Sequence, residues 1–137
     1  MPRYKRKKSD GRLLYTPVKE RLTVLIDGLI AGTLSEHSGN YLSFEYDSGY
    51  ADTDLSVAIP VDAKTVYPDS EVYPFFDGLL PDNILIRNAM AREASIPRAK
   101  TFDLLKFYGK DLPGAIQVCV ESEIDAVIGR RVDTPRG

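Results

Sequence analysis

The chain has 137 residues, 43% hydrophobic and 28% charged, with a formal net charge of −2. That length gives one domain as a prior and allows a core without staples, and no apolar run approaches the roughly 18 residues of a membrane span. The single cysteine, Cys119, excludes an internal disulfide, and a basic N-terminus with no apolar run behind it is not a secretory leader, so a cytoplasmic location is expected.

The charge is unevenly spread. Residues 1–21 carry eight Lys or Arg and two acids, whereas the rest of the chain carries ten and eighteen. The opening RYKRKKSDGR reads as a basic, flexible arm on an acidic body. Lys5, Arg6, Lys7 and Lys8 are its candidate nucleic-acid contacts, through counterion release from phosphates; a solvated tail is the plainer reading. The ordered body is expected from about Leu22. Leu22, Val24 and Ile26 alternate, Asp27-Gly28 supplies a two-residue hairpin turn, and Ile30, Gly32 and Leu34 alternate again. EHSGN is a turn. YLSFEY is a third strand, and LSVAI at 55–59 a fourth, stopped by Pro60, which cannot donate to a ladder.

The pattern then turns helical. Residues 74–80 form a short helix or turn. Asp82 or Asn83 caps a second helix running to about Ala94, with Ile86, Ala89, Met90 and Ala94 on one stripe. Pro97 forbids its continuation. Thr101 caps a third helix that carries Asp103 in its first turn and ends at Gly109 as the residue after the C-cap. GAIQVCV is a closing strand, with Ala115 and then Val118 and Val120 as its buried candidates. The tail from Glu121 looks weakly ordered. Strands first and helices later make this an α+β chain: a small antiparallel sheet or partly open barrel, three short helices and a closing strand. The divisions expected are an arm at 1–21, a domain at 22–120 and a tail at 121–137.

Catalytic equipment is sparse. His37, the only histidine, sits in a predicted turn with no third group to orient it as a base, and G-x-S-x-G is missing. One Cys and one His cannot assemble a zinc site of the usual ligand count. DSGYADTD fails calcium-loop spacing, and neither glycine-rich phosphate loop occurs. No catalytic residue, metal or cofactor is expected, so binding is favoured over independent catalysis. The unusual stretch is PFFDGLLPDN at 74–83. Adjacent helical residues diverge by about 100°, so Phe75 and Phe76 cannot both enter one core, nor can Leu79 and Leu80. Which member of each pair faces inward stays open.

DLSVAIPV at 54–61, PFFDGLLPDN with Arg87 shortly after it, and FDLLKFYGKDLPGAIQV at 102–118 are similar in order and spacing to the N-terminal subdomain of the HipA family of bacterial toxin kinases. The resemblance covers roughly residues 22–120. Nothing in the sequence corresponds to the kinase domain of that family, so the chain looks like the free-standing HipS-type antitoxins of HipBST systems. The resemblance implies a HipA- or HipT-like Ser/Thr kinase as the protein bound and inhibited. It also implies a HipB-like helix-turn-helix protein, and through it operator DNA, as further partners. Carried over residue by residue, it implies Phe76, Asp77, Leu80, Pro81, Asp82, Asn83, Ile84 and Arg87 as partner-facing or partner-shaping. The tryptophan that some antitoxin members place after this block has no counterpart here, and Ile84 or Leu85 stands at that place. Two other readings remain open: a detached domain that a split kinase needs for activity, and nucleic-acid binding through the arm.

Overall fold

The computed structural model describes residues 17–133; Lys5, Arg6, Lys7 and Lys8 lie outside the described residues. Strands β1 (Val18–Ile26) and β2 (Leu29–His37) form the hairpin that Asp27-Gly28 promises. Both turn residues have positive φ, 51° and 82°, the backbone of the tight turn that matches strand twist. β1 takes in residues 18–21, four positions before the expected start of the body, and its Glu20 meets Lys106 at 2.5 Å.

β3 (Tyr41–Tyr46) pairs with β2, and β5 (Ile116–Cys119) pairs with β1 on the other side. The expected fourth strand at 55–59 does not form. Ser56 instead bridges to Ile59, closing a tight turn. The Tyr46 hydroxyl donates to the Ile59 carbonyl and accepts the Leu55 amide at 2.8 Å, while the Tyr67 hydroxyl donates to the Pro60 carbonyl. Two phenols thus satisfy backbone groups that a ladder would otherwise have taken. The fourth strand, β4, is Val66–Tyr67, and the order is β4-β3-β2-β1-β5, antiparallel throughout and open.

Four helices follow the α+β plan: α1 (Asp69–Asp77), α2 (Ile84–Glu93), α3 (Thr101–Tyr108) and α4 (Ile124–Asp133). α4 lies where a weakly ordered tail was expected. On one face of the sheet Leu22, Val24, Leu34 and Phe44 join Phe76, Leu80, Phe102 and Leu105 in the main core. On the other, Leu25, Cys119 and Val127 form a small second cluster that α4 completes. β5 therefore buries Gln117, Val118 and Cys119 and leaves Ala115 exposed and Val120 half-buried.

Two local expectations change. The buried face of α2 is centred on Ala91, with Met90 and Ala94 half-buried, while Ile86 and Ala89 are exposed. Gly109 has an ordinary helical φ of −61°, not the left-handed value of a helix-ending glycine. Its place is set by packing, since a Cβ there would lie 2.3 Å from the Val118 carbonyl oxygen.

The phenylalanine pair divides cleanly. Phe76 is fully buried between the sheet and the helices, and Phe75 is half-buried with its ring edge-on to that of Phe76, 5.1 Å away. Phe76→Ala is expected to lower stability by about 3–5 kcal/mol, the range for a large core truncation. Phe75→Ala should cost clearly less in the same denaturant titration.

Candidate functional site

The segment 77–87 joins the end of α1 to the first turn of α2. Its backbone leaves α1 through two tight bonds, Leu79 N to Phe76 O and Leu80 N to Asp77 O, both 3.1 Å. Leu80 then drops into the core, 4% exposed, and Leu79 is half-buried. Pro81, Asp82 and Asn83 are exposed. Of the two capping candidates Asn83 serves, its side-chain oxygen accepting the amides of Leu85 at 2.8 Å and Ile86 at 3.4 Å. Two donors at the start of α2 are satisfied in this way.

Arg87 locks this turn. Its Nε donates to the Pro81 carbonyl at 2.5 Å, one terminal nitrogen to Asp77 Oδ1 at 2.7 Å and the other to the Asp77 carbonyl at 3.0 Å. Such use of the planar guanidinium fixes geometry as well as charge. The Thr101 hydroxyl, expected as a helix cap, instead donates to Asp77 Oδ1 at 2.7 Å and lies 3.3 Å from the Tyr73 hydroxyl. Lys100 occupies the cap position without a side-chain capping bond. One carboxylate thereby ties the end of α1 to the starts of α2 and α3.

These bonds hold the Asp77 carboxyl below the usual carboxylate range: the Arg87 hydrogen bond acts most strongly, burial opposes it, and Thr101 and the Arg87 charge add to it.

What the locked turn presents is apolar. Ile84, Leu85 and Ile86 are 60%, 73% and 48% exposed. Three successive helical positions sweep about 200°, so no single packed face can take them all. The eight residues singled out from sequence therefore fall into two groups. Phe76 and Leu80 are core, and Asp77 and Arg87 are the clamp, so none of these four presents its side chain freely. Pro81, Asp82, Asn83 and Ile84 form the exposed surface. Leu85 was weighed only as a substitute for the tryptophan, and Ile86 was assigned to a buried stripe. The run Ile-Leu-Ile at a helix start was itself the signal for their exposure.

Elsewhere, His37 is 3% exposed at the end of β2, not an exposed turn residue, with Nε2 2.7 Å from the Ser43 hydroxyl oxygen. The Cys119 thiol is buried, and burial pushes its pKa up, which makes it a poor nucleophile. Among the described residues no three His, Cys, Asp or Glu side chains gather to hold a metal ion. No helix among them is long and apolar enough to cross a membrane.

Comparison with known proteins gives two findings. Residues 22–119 match the family model described as the HipA N-terminal domain. A relative from Sinorhizobium fredii (strain NBRC 101917 / NGR234), named "Putative kinase Y4mE", is 31% identical over an alignment of 106 residues, and the match covers 74% of this chain and 25% of that protein. The chain thus spans a quarter of the length of this curated relative.

A folded-state carboxyl held low contributes stability that is complete above the unfolded value, about 3.9, and is lost as pH falls through the depressed one. Asp77→Asn should therefore lose about 1.5–3 kcal/mol at neutral pH, the worth of hydrogen bonds to a charged group. The deficit against the unaltered protein should shrink in urea titrations taken below the carboxylate range.

Proposed function

This chain belongs to the HipA N-terminal-domain family, and on that premise we propose that it is an antitoxin-like regulatory protein that binds and inhibits a HipA- or HipT-type Ser/Thr kinase. The HipA N-terminal domain is a subdomain distinct from the catalytic one. Its chemistry here is accordingly that of a surface. The observation that carries the reading is the Ile84-Leu85-Ile86 run, exposed on a turn whose backbone is already fixed by Arg87, Asp77 and Asn83. Apolar side chains grouped on a surface mark interaction sites. A turn rigid before binding also avoids the ordering cost that weakens flexible ligands.

In this reading Pro81, Asp82, Asn83, Ile84, Leu85 and Ile86 touch the kinase, and Asp77 and Arg87 shape the surface from behind. Phe76 and Leu80 act only through the core. The relative named as a kinase is four times longer than the matched region, which favours one further reading: the same surface seats this domain against a kinase that requires it. Binding is common to both readings. They differ in the sign of the effect on kinase activity.

Burying a leucine contributes about 1.5–3 kcal/mol, so Leu85→Asp and Ile84→Asp should each weaken kinase binding roughly tenfold or more by calorimetry. The melting temperature should be nearly unchanged, because both side chains are solvated in the free protein. Leu80→Asp should instead unfold the domain. Full kinase affinity in Leu85→Asp would remove the surface from consideration. Stimulation of the kinase by the unaltered protein would replace inhibition with the second reading.

A further inference from the structure

The hairpin end of the sheet carries a second surface that docking through 81–86 does not use. Leu29 and Ile30, just past the Asp27-Gly28 turn, are 51% and 40% exposed. Together with Asp47, Tyr50 and Asp52 they line an open groove of about 450 Å³. Its floor is firm. The Tyr50 ring stacks on that of Tyr46, whose hydroxyl is bonded into the 55–59 turn, and the Asp47 amide donates to the Ala31 carbonyl at 2.7 Å.

The rim is acidic to an unusual degree. Residues 22–63 contain seven acids and no lysine or arginine. Among the described residues no ion pair involves Asp47 or Asp52. The Tyr50 hydroxyl is pushed up mainly by burial and then by the charges of Asp52, Asp27 and Asp54, with no cation acting in the opposite sense. An aliphatic floor with a negative rim suits a segment that combines positive charge with apolar carbon, as lysine and arginine stems do.

The chain itself supplies such a segment. Arg3, Lys5, Arg6, Lys7 and Lys8 fall within six residues of one another. β1 spans nine residues from its first residue to the hairpin, roughly 30 Å at about 3.3 Å per residue. Lys8 lies nine residues before Pro17, a span of up to about 30 Å at the same rise, so the chain before β1 is long enough for residues 3–8 to reach the groove. We propose that the groove lined by Leu29, Ile30, Asp47, Tyr50 and Asp52 is the docking site of the chain's own basic segment, residues 3–8. The contact makes the acidic body a competitor, within the molecule, for any polyanion the segment meets.

The test is paramagnetic relaxation on the full chain with Ser9→Cys carrying a spin label, Cys119 being buried. At about 0.1 M salt the amides of Leu29, Ile30 and 47–52 should broaden selectively. Near 1 M salt, where the Debye length falls from about 10 Å to about 3 Å, the broadening should vanish. Asp47→Lys with Asp52→Lys should abolish it, and so should Lys5→Glu with Lys7→Glu, which leaves the body unaltered. Broadening centred on another surface, or unchanged by either pair of substitutions, would overturn the proposal. So would broadening seen only when labelled and isotope-enriched copies are mixed, which would make the occupant a second copy of the chain.

Discussion

A single guanidinium decides the shape of the most distinctive surface of this protein. Arg87 reaches back from the first turn of α2 to the carboxylate and carbonyl of Asp77 at the end of α1 and to the Pro81 carbonyl in the connection. Its bonds tie Asp77, just before the Gly-Leu-Leu-Pro-Asp-Asn connection, to Pro81 within it, and so fix the path of the chain between the two helices. Within that connection Leu80 packs into the core while Pro81, Asp82 and Asn83 lie exposed. Ile84, Leu85 and Ile86 stand exposed on the helix start that this network holds in place.

The hairpin, third strand, closing strand and second and third helices were legible in the sequence because their signals are local. Asp27-Gly28 adopts positive φ wherever it falls between alternating strands, and Asn83 caps the helix that follows it. The fourth strand was misplaced because its fate depends on Tyr46 and Tyr67, whose hydroxyls reach into 55–60 from the sheet. No window around Leu55–Ile59 contains that information. Gly109 was read as a helix terminator for the same reason: the Val118 carbonyl that excludes a side chain there arrives from β5.

The site was half legible. A resemblance carried over by position names residues without saying which way they point, and Phe76 and Leu80 show the consequence, being fully committed to the core. The buried face of α2 was misjudged because Ala91 is its one fully buried residue, with Met90 packed beside it, so its larger apolar residues are not a guide to its inner side. Three adjacent aliphatics on a helix start were a better guide. They cannot share one stripe, and the unsatisfied remainder has to face solvent or a partner.

The interface proposed for a HipA-type kinase is the turn at 81–86, held by Arg87, Asp77 and Asn83 before any encounter. Amide hydrogen exchange on the free protein and on its mixture with the kinase tests it most directly. The account predicts that the amides of Leu79, Leu80, Leu85 and Ile86 are already slowed in the free protein, and that residues 82–86 gain further protection when the kinase is added. Fast exchange across 79–86 in the free protein, or kinase-induced protection confined to other segments, would contradict it.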